Sequence, residues 1–358
     1  MTVKNWLGPF IIVFLILTTL LNAGCIQNDN GTSGKTVKIK DMLDRTVKVP
    51  EKVEKVVGIE AGALRLLVYL NCSDKVVGVE DVEVDGGKPY NYAHPELAKL
   101  PSIGPQHGGD AELIIAQQPD VIFWTYATVE KANELQEKTG IPVVALDYGD
   151  LDDNKDIFYE CLRLVAKVMN KKDRAEELIS YIDNTIKDLN DRTKDIKTEQ
   201  KQKVYVGGVS YYGNHGILST EPKYSPFAYI NANNVASEIG LEHADIDKEK
   251  LIEWDPEIIF IDETGLYLVQ EDLKDEAYAS ISAVKNGELY GVMSYNWYTI
   301  NFATVLANAY YVGKVLFPTN FTDIDSEKKA DDIYQTFVGK GVYQDMKDLY
   351  GGFKKLEF

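Results

Sequence analysis

The chain has 358 residues, 45% hydrophobic and 11% aromatic, which argues against disorder and allows two domains of ordinary size. Its formal net charge of −18 argues against nucleic acid or an anionic membrane surface as partner, since both attract basic patches. A well-solvated surface, or one that collects cations, accounts for the acidity.

From the N-terminus, Lys4 precedes the apolar run "WLGPFIIVFLILTTLL", and "NAGC" then sets small residues before Cys25. This is the layout of a secretory signal over 1–24. A cysteine just after the site resembles the lipobox of exported lipoproteins, although Asn22 stands where an aliphatic residue is usual. Two readings stay open: lipidation of Cys25, or a retained signal anchor. Both place the body outside the cytoplasm, and the first anchors it to the outer face of the cell membrane. The polar stretch after Cys25, to residue 35, reads as a flexible tether.

"KTVKIKDMLDRTVKVP" alternates and stops at Pro50, as an edge hairpin does. "VEKVVGIE" predicts a buried strand, "AGALRLLVYLNC" a helix, and "KVVGVE" a second strand before a long polar loop. "DAELIIAQQ" predicts a helix capped by Asp110 and closed at Pro119. "DVIFWT", "VEKANELQEKTG" and "IPVVALD" continue as strand, helix and strand, completing a first α/β lobe over 36–150. Connecting helices follow over 151–200. One has an apolar stripe at Ile157, Cys161, Leu164 and Val168. The next has Leu178, Ile182, Ile186 and Leu189, with about 22 uninterrupted residues spanning roughly 33 Å. The alternation then restarts over 201–358. "KVYVGGVS", "PEIIFID" and "ELYGVMS" are strands. "SPFAYINANNVASEIG", "KEKLIEW", "LKDEAYASISAVKNG" and "TINFATVLANAYYVGKVLFP" are helices. Cys72 and Cys161 both sit in apolar stretches, where free buried thiols are slightly favoured over a disulfide.

One phrase occurs twice. "ELIIAQQPDVIFWT" and "EKLIEWDPEIIFID" each set a glutamate seven residues before a proline, then an acidic residue and an apolar run. The offset is 137 residues for both Glu112 to Glu249 and Pro119 to Pro256. Duplication of a lobe explains the shared spacing.

These stretches, with the leader and "SIGPQHGGDAELIIAQQPDVIFW", resemble the substrate-binding lipoproteins of ABC importers for ferric siderophores, haem and vitamin B12, the class III periplasmic binding proteins. The resemblance covers roughly Thr36 to Pro318. It implies two Rossmann-like α/β lobes with mainly parallel sheets, joined by one rigid bridging helix, with the ligand between them. It also implies a permease with a cytoplasmic ATPase as partner, docked by Glu112 and Glu249, one per lobe. Arginine forks on a two-fold permease suit such a pair of carboxylates. A glutamate in the first turn of a helix also simply favours the helix dipole.

In open α/β sheets the crevice lies at the carboxyl ends of the strands. That rule nominates Glu60, Gly62 and Arg65 after the first strand, Tyr90, Tyr92, Gln106 and His107 in the loops, and Trp124 and Tyr126. From the second lobe it nominates Tyr211, Tyr212, His215, Tyr267, Tyr295, Asn296 and Trp297. Trp124 and Trp297 match positions where the family's pocket rings lie. The aromatic density suits a bulky planar or chelate ligand. Arg65 is placed to pair with an anionic chelate or with Glu60. No histidine pair has metal-ligand spacing, so direct ligation by His107 and His215 is the lesser reading.

The expected function is capture of a metal chelate, iron(III)–siderophore-like, by a monomer without a cofactor of its own; the cargo would contain iron(III) or cobalt. A corrinoid or haem cargo is the alternative within transport. An extracellular metalloenzyme or chelatase, or a signalling or adhesive surface protein, lies outside it. No GxSxG, HExxH or P-loop pattern supports an enzyme.

Overall fold

The computed structural model describes residues 35–357. The leader, Cys25 and nearly all of the tether lie outside the described residues. The expected hairpin is present: β1 (Thr36–Lys40) and β2 (Thr46–Pro50) pair antiparallel, with Lys40 opposite Thr46. Asp41 in its turn accepts from the Leu43 and Arg45 amides and from the Ala145 amide, which pins the hairpin to the first sheet.

That sheet is parallel, in the order β3 (Val56–Ile59), β4 (Val121–Thr125), β5 (Val143–Leu146). Every residue of the three strands is buried, which explains their unbroken apolar runs: helices cover both faces. Those helices include α1 (Ala63–Tyr69), α2 (Pro89–Ala93), α3 (Ala111–Gln117) and α4 (Val129–Thr139). The expected strand "KVVGVE" is instead two isolated bridges, Val76 to Val56 and Val79 to Ser102. The segment changes partner after one pairing, so no ladder forms.

Two helices lead away. α5 (Lys155–Met169) buries Phe158, Cys161, Leu162 and Val165, with Ile157 and Leu164 half-buried at the edge of the stripe. α6 (Lys172–Thr193) runs 22 residues without a break and packs on α5.

The second sheet uses β6 (Lys203–Gly207), β8 (Asn233–Asn234), β10 (Ile258–Asp262), β11 (Leu289–Val292) and β12 (Lys354–Lys355). Its order is β12-β11-β10-β6-β8, parallel except for β12. β7 (Ser219–Thr220) and β9 (Ala244–Asp245) form a separate antiparallel pair. The helices are α7 (Ser225–Tyr229), α8 (Lys248–Trp254), α9 (Leu266–Asp272), α10 (Ser282–Asn286), α11 (Phe302–Leu316), α12 (Ser326–Val338) and α13 (Tyr343–Tyr350). Two expected helices are broken. After α7, Asn231 takes a positive φ of 54° and the Asn234 side chain accepts the Ala236 amide. Asparagine offers the backbone a local alternative to the helix. Before α10, Asp275 caps Ala277 in the same manner and a tight turn over 276–280 intervenes.

The repeated phrase is a repeated structure. α3 and α8 each end on a left-handed residue, Gln118 and Asp255, and each leads through proline into the strand with a parallel partner on both sides, β4 or β10. The acidic residue after the proline ties down the lobe's entry. Asp120 accepts the Glu54 and Lys55 amides at 2.7 and 2.9 Å, and Glu257 accepts the Lys203 amide at 2.9 Å.

α12 crosses back to the first lobe and packs on α1 and α2. The Phe337 ring meets Tyr69 edge-on at 5.0 Å, and Tyr350 Oη donates to the Gly87 carbonyl at 3.0 Å. Cys72 and Cys161 are buried free thiols.

Candidate functional site

Between the carboxyl ends of the two sheets lies a cavity of about 920 Å³. Loops after β3, β4, β5, β6, β7 and β11 form its walls. Among the expected residues, Glu60, His107, Tyr126, Tyr211, Tyr212, Tyr295, Asn296 and Trp297 line it.

The other expected residues do not line it. Gly62 caps α1 at φ 91°, and any Cβ there would meet the Tyr148 ring at 2.3 Å. Tyr90 is buried and donates to Glu83 at 2.7 Å, and Tyr92 packs half-buried against the core. Trp124 lies within the first lobe's apolar core, beneath the loop that carries Gly108. Gln106 is exposed at a loop tip, and Tyr267 is exposed in α9. His215 holds the Tyr211 carbonyl at 2.7 Å behind the wall. Arg65 is wholly buried. Glu112 and Glu249 are exposed in the first turns of α3 and α8.

Asp150, Asp152, Glu221, Lys223, Glu242, His243 and Thr299 line the cavity unexpectedly. For Asp150 and Asp152 the signal was present: the strand-end rule, carried on to β5, points to them. Glu221 and Lys223 follow β7, a strand too short to leave a periodic pattern.

The lining mixes aromatic rings with carboxylates. Rings come from Tyr126, Tyr298 and Trp297, the last 40% exposed. Asp150, Asp152, Glu221 and Glu242 supply carboxylates, with the Tyr295 and Tyr211 rings among them. Lys223 beside them is committed to Asp153 and Glu242, at 2.7 and 2.9 Å. Burial pushes the Glu221 carboxyl up to about 8, where it accepts the Tyr295 hydroxyl. Burial also raises Asp152, which accepts from Ser225. His243 stacks on Tyr211 with centroids 4.1 Å apart, and burial lowers its pKa. Ser219 spends its hydroxyl proton on the Val209 carbonyl, so His243 Nε2–H donates to Ser219 Oγ. His107 Nδ1 contacts the Glu60 carboxylate. Among the described residues, no group of three or more His, Cys, Asp or Glu is arranged to hold a metal ion.

Backbone strain concentrates here. Twelve non-glycine residues among those described have positive φ, and six of them line the cavity: Glu60, His107, Tyr126, Tyr212, Tyr298 and Thr299. Tyrosine and threonine pay for that conformation in sterics, and such strain persists only where surroundings over-determine it.

A family model described as periplasmic binding protein matches residues 56–295, well over half of the chain. The chain belongs to the periplasmic binding protein family. It is a substrate-binding protein of an ABC importer, with the two-lobed α/β fold of that family. The molybdate-binding protein MolA of Haemophilus influenzae is 28% identical over 322 residues, covering 84% of this chain and 90% of MolA. MolA bound to molybdate superposes with a TM-score of 0.68 at 25% identity, over 85% of this chain and 98% of MolA. The probable siderophore-binding lipoprotein YfiY of Bacillus subtilis is 23% identical over 193 residues, 53% of this chain and 56% of YfiY. A periplasmic solute binding protein from Veillonella parvula shares the fold at a TM-score of 0.70 and 19% identity, over 88% of this chain and 97% of that protein. The family works outside the cytoplasm, and no helix among the described residues is long and apolar enough to cross a membrane.

Proposed function

We propose that the chain captures a bulky metal chelate, iron(III)–siderophore-like, and delivers it to its permease through Glu112 and Glu249. The carrying observation is the cavity: about 920 Å³, with a lining that mixes aromatic rings and carboxylates. That volume suits a ligand of siderophore size. Among the described residues, Lys223 is the one lysine or arginine on the lining, and two carboxylates already hold it. A bare dianion would face Asp150, Asp152 and Glu242 without a free cation, whereas a neutral or cationic chelate meets no such penalty. Corrinoid or haem cargo remains the alternative in the same role.

Kinship with MolA favours a second reading, molybdate, a cargo with neither iron nor cobalt. Native mass spectrometry of protein from its own source separates the two: a co-purified organic complex supports the chelate, and a bound mass matching molybdate alone overturns it. Lipidation of Cys25 completes the proposal and is read by intact mass of the membrane-bound form.

A further inference from the structure

Arg65 sits in the middle of α1, a helix whose every residue is buried, and is itself 0% exposed. A guanidinium there carries a large desolvation cost unless its donors are met. Among the described residues it makes no ion pair. Nη1 instead donates to Tyr148 Oη and to the Ile300 carbonyl, both at 2.8 Å. Nη2 donates to the Trp297 and Tyr298 carbonyls at 3.0 and 3.1 Å. The rings of Tyr90 and Tyr148 flank it at 5.5 and 5.8 Å. A cation planted in the first lobe is thus solvated mainly by backbone from the loop after β11, in the second.

That loop is strained at two successive residues. Tyr298 and Thr299 take φ values of 50° and 65°, and with Trp297 they line the cavity. Further bonds also run to the first lobe: Trp297 Nε1 to the Gly86 carbonyl at 3.0 Å, Tyr298 Oη to Glu80 at 2.8 Å, and Thr299 Oγ1 with Tyr126 Oη at 3.0 Å. Carbonyls drawn inward toward Arg65 leave these side chains facing the cavity.

We propose that Arg65 is a positioning residue for ligand: it fixes loop 297–300 in its binding conformation and makes a second-lobe segment part of the first lobe's wall. The proposal rests on the cleft reading above, but not on which cargo is bound. A receptor whose competent state is only fractionally populated loses apparent affinity by that fraction. Loosening the loop therefore weakens binding without removing any ligand contact.

The test compares Arg65→Lys, Arg65→Met and Tyr148→Phe with the parent protein. Amide hydrogen exchange over 297–300, without ligand, should speed up on the order of tenfold in Arg65→Met and less in the other two. Exchange in β4 and β10 should stay unchanged. Binding of the neutral chelate iron(III)–tris(acetohydroxamate), followed by tryptophan quenching, should weaken by a similar factor. Should Arg65→Met fail to fold, Tyr148→Phe decides, since it removes one hydroxyl and keeps the ring stacked on Phe302. Unchanged exchange over 297–300 in the folded variants overturns the proposal, as does faster exchange with undiminished affinity. Failure of the parent protein to bind this probe counts against a neutral hydroxamate chelate, and the exchange result still decides the role of Arg65.

Discussion

Tyr298 Oη donates to the buried carboxylate of Glu80 at 2.8 Å, joining a second-lobe loop to the first lobe. The same carboxylate accepts the Glu60 amide at 2.9 Å and the Gly108 amide at 3.0 Å. One side chain thus holds three segments at the cavity. Glu80→Ala leaves three donors without their acceptor and should cost about 3 kcal/mol of stability by thermal unfolding. Tyr298→Phe removes one bond and should cost about 1 kcal/mol.

The tryptophans should separate. Trp297→Ala is expected to weaken ligand binding by about 1–3 kcal/mol and to abolish most ligand-induced fluorescence quenching. Trp124→Ala should leave affinity nearly unchanged and lower stability by about 3–5 kcal/mol, since its ring fills the first lobe's core. Titration and denaturant melts on both variants check this.

Glu221 predicts a pH dependence. Its folded pKa, about 8, lies above that of an ordinary glutamate because burial disfavours the charge. Its protonated form therefore favours folding at low pH, and that contribution is lost as pH rises toward about 8. Melting temperatures measured from about pH 5 to about pH 9 should fall less in Glu221→Gln than in the parent. Equal slopes would show that Glu221 is ordinary in the fold.

Glu112→Arg and Glu249→Arg should each weaken binding to the permease while ligand affinity stays within about twofold, because both side chains lie on outer helices away from the cavity. Pull-down against reconstituted permease and ligand titration on the same preparations give the two readouts. A drop in ligand affinity with intact docking would reverse the assignment.

The architecture was legible where periodicity is strong. The buried strands at β4 and β10, Asp110 as a cap and the unbroken α6 all follow from local chemistry. The broken helices around Asn231 and Asp275 were not, because side-chain competition with the backbone overrode an apolar pattern. In the cleft, strand ends pointed to Tyr126, Tyr211 and Trp297, which line the cavity. Position alone cannot tell which way a side chain turns, so Trp124 and Arg65 fell on the wrong side of the wall. Glu221 and His243 depend on the short β7–β9 pair, whose contacts are too distant in sequence to leave a local signature.

The return of α12 to the first lobe has a consequence for how the molecule is made. α1 presents Tyr69 to Phe337, and the Gly87 carbonyl waits for Tyr350, partners that lie more than 250 residues later. As the chain emerges from its N-terminus, the first lobe's sheet can assemble, but the outer surface of α1 stays bare until the last helices arrive. Completion of the amino-terminal half is therefore a late event, timed by the carboxyl terminus. Deletion of α12 and α13 should leave sticky, protease-sensitive material rather than a shortened receptor.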